Sequence, residues 1–218
     1  MVVFMKKNKL NIYYEDKHLL IVYKDFNLPT IKSEKYRNNL YSQVYEYLHK
    51  KNQKVFVVHR LDKDTSGLVI FAKSEKVKKL LQQEWDKCIR NYIAIVHGKT
   101  KDKGIIESYI NETKTLYSYS SKDKNGKYAY TSYETLERNK QYSLIKINIK
   151  TGRKNQIRVH MKDNNTPILG DKKYGKKDGY RKLMLIANQV NFIHPITKQE
   201  ININLEIPQD FLKIMNEN

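Results

Sequence analysis

The strongest constraint on the fold lies between Ile105 and Ile149, where Tyr-, Thr- and Ile-rich segments follow one another with hairpin signals at Asn125-Gly126 and, more weakly, Asn139-Lys140. Asn-Gly readily adopts the positive-φ conformations of a tight hairpin turn, and strands joined that way pair antiparallel. Such a stretch does not fit a βαβ protein, whose parallel strands need helical crossovers. The flanking sequence continues the pattern. Asn11 to Glu15 and His18 to Lys24 read as short strands joined at Asp16-Lys17, with a loop at Pro29 beyond them. Val55 to Leu61 is a β-branched run that ends in a polar turn from Asp62 to Gly67, and Leu68 to Lys73 resumes as a strand. Ile89 to His97 alternates and stops at Gly98, while Leu183 to Phe192 and Glu200 to Ile207 flank a His194-Pro195 turn. Helical spacing predicts a helix over 38–51 on Leu40, Tyr41, Val44, Tyr45 and Leu48. A second runs from an Ser74 N-cap to Lys87, with Val77, Leu80, Leu81 and Trp85 on one face. A third covers 153–163 after Gly152, and a short one follows Pro208. The expected architecture is one α+β domain over residues 1–218 with a large, mostly antiparallel sheet, long enough to bury a substantial core.

Charge narrows the function. Lys and Arg number 42 against 23 Asp and Glu, a formal charge of +19. This exceeds what solubility requires and repels itself in the compact state, so an anionic partner is expected, nucleic acid first. The 17 tyrosines can stack on bases, although strands and cores use tyrosine equally well. Only 7 of the 42 basic residues are Arg. The planar guanidinium fork is the group for geometric recognition, and Arg60, Arg153 and Arg158 fall in the two most unusual segments of the chain.

Several chemistries are excluded. The longest apolar run, around Leu19 to Tyr23, is far short of the roughly 20 residues of a membrane span. The N-terminus lacks the apolar core of a signal peptide, so a soluble cytosolic protein is expected. Cys88 is the single cysteine, and the six histidines lack partners at ligand spacing, which leaves no disulfide, zinc or redox site to propose. Gly170 to Lys177 approaches a P-loop, but Lys177 stands where the Mg²⁺-binding hydroxyl belongs. Ser66 lacks the upstream glycine of a nucleophile elbow. His160 and His194 read as hydrogen-bonded structural groups.

Two segments remain, His59 to Gly67 (HRLDKDTSG) and Gly152 to His160 (GRKNQIRVH). Asp62, at the end of an apolar strand, is a candidate partly buried carboxylate, and Arg158 a candidate partner to keep it ionised. The bland alternative is that Asp62, Asp64, Thr65 and Ser66 only make and cap a turn. Asp62 with Asp64 is too little for a metal-dependent nuclease.

These segments resemble the HRLDxxTSG and GRxHQ(I/L)RVHM signatures of the RluA family of pseudouridine synthases, in the right order and about 90 residues apart. Leu28-Pro29-Thr30, Tyr92, Lys127 to Thr131, Thr166 to Asp171 and His194-Pro195 fit the same pattern, and the similarity spans about residues 12–211. The resemblance implies a mixed, largely antiparallel sheet flanked by helices, with a central basic cleft. It implies isomerisation of uridine in RNA, in which the bond from N1 to C1′ breaks, the base turns, and C5 bonds to C1′. Asp62 matches the essential aspartate, Arg158 the arginine paired with it, and Tyr92 a tyrosine that packs on the target base and helps remove the C5 proton. Arg60 matches the residue that splays out the target nucleotide, since a base must leave its stack before its sugar bond is reachable. RNA contacts are also expected from His59, Thr65, Arg153 and Gln156, and from Lys172, Lys173 and Lys176. No cofactor or metal is implied. The partner is RNA, ribosomal before transfer RNA, bound by a monomeric catalytic domain without the family's small N-terminal RNA-binding domain. Three positions depart from the pattern: Asn155 replaces a His, Asp25 a Pro, and Ile186 the His found in many members. The rival from another class is a non-catalytic RNA-binding or ribosome-assembly factor that kept fold and charge.

Overall fold

The structure, a computed structural model, describes residues 10–32 and 38–217. Among these residues eleven strands form one sheet. The N-terminal part contributes β1 (Ile12–Glu15), β2 (Leu19–Lys24), β3 (Phe56–Val57) and β4 (Ser66–Ala72). A meander follows, with β5 (Ile89–His97), β6 (Lys103–Glu112), β7 (Ser118–Ser121), β8 (Lys127–Arg138) and β9 (Tyr142–Ile149), and β10 (Leu185–Ile193) and β11 (Glu200–Asn204) complete the sheet. The spatial order is β1-β2-β4-β10-β5-β9-β8-β6-β7, with β11 on β10 and β3 on β4. The pairings are antiparallel except β4 with β10, which runs parallel with Ile186 beside Ser66 and Ala187 beside Gly67.

That parallel pair is the seam between the N-terminal strands and the meander. Gly67 sits on it with φ +121°, and a Cβ there would lie 2.2 Å from the Ala187 carbonyl oxygen. Only glycine combines this conformation with so close an approach. The segment that carries Asp62 is thus fastened to the middle of the sheet.

Four helices cover the sheet: α1 (Leu40–His49), α2 (Glu75–Gln83), α3 (Gln156–Asp163) and α4 (Gln209–Asn216). Asn39 caps α1 by accepting the Ser42 N–H at 2.9 Å, and Ser74 caps α2 by accepting the Val77 N–H at 3.3 Å. Strand alternation assigns the faces. Leu19 and Ile21 of β2, with Ile93 and Ile95 of β5, pack with Val77 and Leu81 of α2 and Phe211 and Ile214 of α4. On the opposite face Leu20 and Val22 pack with Leu40, Val44 and Leu48 of α1, whereas Ala94, Ile145 and Ile147 pack with Ile157 and Met161 of α3. Tyr92 touches both of the latter clusters, so it lies between α1 and α3.

Two elements differ from the sequence reading. The α2 helix stops at Gln83 and Trp85 falls in a following turn, in which Cys88 N–H bonds to the Trp85 carbonyl at 3.3 Å. Freed from the helical stripe, Trp85 stacks against His59, ring centroids 4.8 Å apart. The run from Val55 to Leu61 pairs as a strand only at Phe56 and Val57. The Ile70 N–H on the facing strand is taken by the His59 imidazole at 3.1 Å, so a side chain ends the ladder.

Candidate active site

Asp62 follows the buried Leu61 and precedes a turn closed by the Thr65 N–H donating to the Asp62 carbonyl at 3.1 Å. Its position is held from both sides. The Thr30 hydroxyl donates to the Leu61 carbonyl at 2.8 Å and accepts the Leu61 N–H at 3.1 Å. Lys24, fully buried, donates to the carbonyls of Asp25 and Lys63 at 3.0 Å and of Leu28 at 2.7 Å. These bonds tie the loop after β2 to the loop of Asp62. Burial lowers the Lys24 ammonium to about 8, against the pull of Asp62, Asp64 and Asp25.

Asp62 accepts the backbone N–H of Asn155, the residue before α3. Asn155 is left-handed (φ 55°), a conformation that asparagine tolerates better than most side chains. Its side chain donates to the Tyr174 hydroxyl at 3.2 Å and accepts from Arg158 at 3.4 Å. The substitution of Asn for the His of the family pattern therefore leaves a residue that touches both the carboxylate and the arginine. Burial raises the Asp62 pKa above the ordinary carboxylate value, opposed by Arg158, the Asn155 N–H and Lys24.

Arg158 corrects one expectation. Its fork does not close on Asp62 but on Asp171, through Nε to Oδ2 at 2.8 Å and Nη2 to Oδ1 at 2.7 Å. Asp171 Oδ1 also accepts the N–H groups of Lys173 and Tyr174, both at 2.9 Å. Burial works against the guanidinium charge, but Asp171, Asp62 and Asp64 hold the Arg158 pKa above its ordinary value. Arg158 acts on Asp62 as a fixed positive charge whose orientation is set by Asp171.

Gln156 and His59, expected to meet RNA, are engaged inside the protein. Gln156 Oε1 accepts from the Thr151 hydroxyl at 2.7 Å and the Arg153 N–H at 3.0 Å, while Nε2 donates to the Tyr130 carbonyl at 2.9 Å and the Thr131 hydroxyl at 3.0 Å. Those four bonds use the full capacity of a primary amide. Burial lowers the His59 pKa to about 3, with Arg90 adding to the shift, so His59 is neutral while its Nε2 accepts from Ile70. Thr65 is buried in its turn beside the site.

Tyr92 projects beside Asp62. Burial pushes its phenol up to about 12, Asp62 adding to the effect and Arg90 opposing it. Tyr92 keeps its proton near neutrality, which suits packing against a base better than removing a proton from one. A cavity of about 660 Å³ opens here. Its walls carry the cations Arg60, Lys63, Lys78, Arg90, Arg153 and Lys154, and among the described residues Asp62 is the one carboxylate on them. A recess of about 80 Å³ continues past Tyr92 and Asp62 to Arg158 and Leu185, and a further hollow of about 420 Å³ runs from Arg60 to Lys127 and Asn125. Arg60 is exposed in all three. Arg153, also exposed, donates through Nε to the Tyr128 carbonyl at 2.9 Å.

The lysines after Asp171 stand elsewhere. Lys172 and Lys176 are exposed and, like Lys173, do not line these hollows. Lys173 donates to the Leu116 carbonyl at 3.3 Å and lies over the rings of Tyr117 and Tyr174. The sequence reading missed Lys24, Asn155 and Asp171 as builders of the site. Lys24 did carry a signal, because it occupies the same strand face as the buried Leu20 and Val22.

Among the described residues no cluster of His, Cys, Asp and Glu could hold a metal ion, and no helix is long and apolar enough to cross a membrane. Residues 18–163 match the family model for RNA pseudouridylate synthase. The chain is 32% identical to ribosomal large subunit pseudouridine synthase D of Blochmanniella floridana, over 94% of this chain and 72% of that protein. It is 31% identical to tRNA pseudouridine synthase C of Haemophilus ducreyi, over 96% of each. In structure it is similar to human RNA pseudouridylate synthase domain containing 4, with a TM-score of 0.77 at 24% identity over 93% of this chain and 90% of that one. Sequence family and fold agree with the cationic cavity around the Asp62 carboxylate: the chain belongs to the RNA pseudouridylate synthase family.

Proposed function

We propose that the protein converts uridine to pseudouridine at specific sites in ribosomal or transfer RNA, with Asp62, Tyr92 and Arg158 as its working residues. The observation that carries the assignment is the carboxylate of Asp62, the one carboxylate among the described residues of a cavity wall otherwise charged by cations. The cations gather the RNA backbone, and the carboxylate meets the sugar of a nucleotide turned into the recess. A carboxylate that resists ionisation is the stronger base or nucleophile once ionised. That serves either bonding to C1′ or removal of a proton from the sugar. Over the whole reaction the base leaves C1′ through N1 and returns through C5. The C5 proton goes to solvent and N1 ends protonated.

Arg158 stabilises the ionised Asp62, Tyr92 packs on the base, and Arg60 fills the space left by the flipped nucleotide. Arg153 lies along the same cavity, with Lys172, Lys173 and Lys176 as a more distant basic surface. The ribosomal and transfer RNA enzymes among the relatives support these two substrate classes. On this reading the chain is a single cytosolic catalytic domain that acts as a monomer.

The test is tritium release from RNA carrying tritium at uridine C5, with total ribosomal and total transfer RNA presented separately. Wild type is expected to release tritium from one pool, and Asp62→Asn to lose on the order of 10³-fold or more of that rate while binding RNA as well as wild type. No release from either pool, with RNA binding intact, would return the protein to RNA binding without catalysis.

A further inference from the structure

Arg90 enters the cavity from the start of strand β5, two residues before Tyr92. Its side chain is 94% buried, since only 6% remains exposed, yet it has no ion-pair partner among the described residues. Of the five N–H donors of a guanidinium, one is used, an Nη2–H to the Lys150 carbonyl at 2.8 Å. Nε is buried without a partner. Nη1 points toward Gly152, where a Cβ would come within 3.4 Å of it. Both Gly152 and Arg90 line the 660 Å³ cavity. The guanidinium carbon lies 5.4 Å from the centre of the Trp85 ring, and Trp85 is itself backed by His59.

A buried charge without a counter-charge is expensive, and folded proteins normally pair it. Here the chain instead holds it rigidly, with an aromatic ring beneath, a carbonyl on one nitrogen, and a glycine keeping the approach to another clear. Lys154 is already paired with Glu112 and Asp86 acts on Arg90 only through space, while Lys78 and Arg153 line the same cavity, a setting that disfavours a cation or a second basic side chain as the missing partner. Nε is sealed from solvent, so Nη1, on the side kept clear by Gly152, is the nitrogen left to meet a ligand, and a guanidinium N–H matches a phosphate oxygen.

We infer that Arg90, held on Trp85 and Lys150, is the receptor for a backbone phosphate flanking the target uridine, so that the large cavity seats the neighbouring nucleotide while the recess at Asp62 takes the target. The substrate class rests on the pseudouridine synthase reading; the phosphate site itself rests on Arg90. In this arrangement phosphate recognition and packing on the base are carried by two residues two positions apart on one strand, Arg90 and Tyr92.

Trp85 is the only tryptophan of the chain, so its fluorescence reports on this cavity alone. The probe is the dinucleotide UpU, compared with its methylphosphonate analogue, in which the linking group is neutral. Wild type is expected to bind UpU about tenfold or more tightly than the analogue, as for a charge-assisted hydrogen bond. Arg90→Met should bind both equally weakly, and Arg90→Lys should recover only part of the preference, because a point charge lacks the fork. Asp62→Asn should keep the full preference, which separates this inference from the catalytic one: tritium release could fail while the preference persists, and the reverse.

Equal binding of the two dinucleotides by wild type would overturn the inference without any variant. A folded Arg90→Met that still prefers UpU would overturn it too, since the phosphate would then be held by the lysines. If Arg90→Met fails to fold, the wild-type comparison and Arg90→Lys decide, and an Arg90→Lys protein with the complete wild-type preference would show that no fork is used.

Discussion

Two arginines on the cleft are almost equally buried, Arg158 at 5% exposure and Arg90 at 6%, and the protein treats them in opposite ways. Arg158, on α3, has a bidentate carboxylate partner in Asp171 and a further contact to Asn155. Arg90, on β5, has one carbonyl and an unpaired Nε. The same division runs through their neighbours. Around Arg158 the amide of Gln156 has no capacity left and Asp171 accepts four bonds. Around Arg90 the cations Arg60, Lys78 and Arg153 face open space. The inner end is therefore a finished polar network that fixes the geometry about Asp62, and the outer end is a set of charges awaiting an anion. Substitutions in the network that surrounds Asp62 should cost stability, whereas those at the outer end should cost the use of substrate and leave stability unchanged.

The sharpest way to break this contrast is Asp171→Asn. It leaves Arg158 buried without its counter-charge, a change expected to cost about 3–5 kcal/mol of stability, read by urea denaturation. Turnover should fall as well, because the guanidinium whose charge acts on Asp62 is no longer held in place by Asp171. A variant as stable as wild type would show that Arg158 does not depend on Asp171, and the two arginines would no longer differ in kind.

Gln156→Ala is next. The Tyr130 carbonyl keeps the Lys150 N–H at 3.4 Å and the Thr131 hydroxyl keeps His160 at 2.9 Å, so the Arg153 N–H is the group left stranded, costing about 1–3 kcal/mol if no water replaces the amide. The expected result is a lower melting temperature with RNA affinity unchanged in the folded fraction. Reduced affinity at undiminished stability would instead return Gln156 to the RNA contacts.

At the outer end, Arg60→Ala should leave stability within about 0.5 kcal/mol, as for an exposed side chain without partners. Its kcat/KM for RNA should fall by about tenfold or more, the worth of a charge-assisted contact. A destabilised Arg60→Ala would contradict its description as an idle cation.

The distinction between the two ends was only half legible in the sequence. Periodicity located the strands and helices, because Leu20 and Val22 alternate with Leu19 and Ile21, and Val77 with Leu81 repeats at helical spacing. The two motifs located the cleft, since β-branched runs deliver Asp62 and a glycine turn delivers α3. Partner choice was not legible. Arg158 had three aspartates within reach of the fold, and only packing decides that Asp171, thirteen residues on, takes the fork, while Asp64 stands 3.9 Å from Nη1 and Asp62 receives its field. Gln156 looked like an RNA contact because its type and motif say nothing about which way the amide points. Trp85 read as a core residue on a helical stripe; α2 ends before it, and the ring both packs against that core and lines the cavity.

The smallest effect tests the inner end from the other side. Burial raises the Asp62 pKa in the folded state above its value in the unfolded chain. Between those two values the folded protein still holds a proton that the unfolded chain has lost, so stability falls as pH rises through that window, and the cost is fully present above the folded value. An amide cannot ionise, and its oxygen can still accept the Asn155 N–H. Asp62→Asn is therefore expected to melt higher than wild type at neutral pH, with the gap closing toward pH ~3, below the ordinary Asp value of about 3.9. His59, held neutral in the fold, also loses stability in acid, but equally in both proteins, so it drops out of the difference. An Asp62→Asn protein that melts at or below wild type at neutral pH would mean that Arg158, Lys24 and the Asn155 N–H more than offset the burial. The carboxylate would then be a comfortable member of the finished network, and its basicity would have to come from the bound substrate.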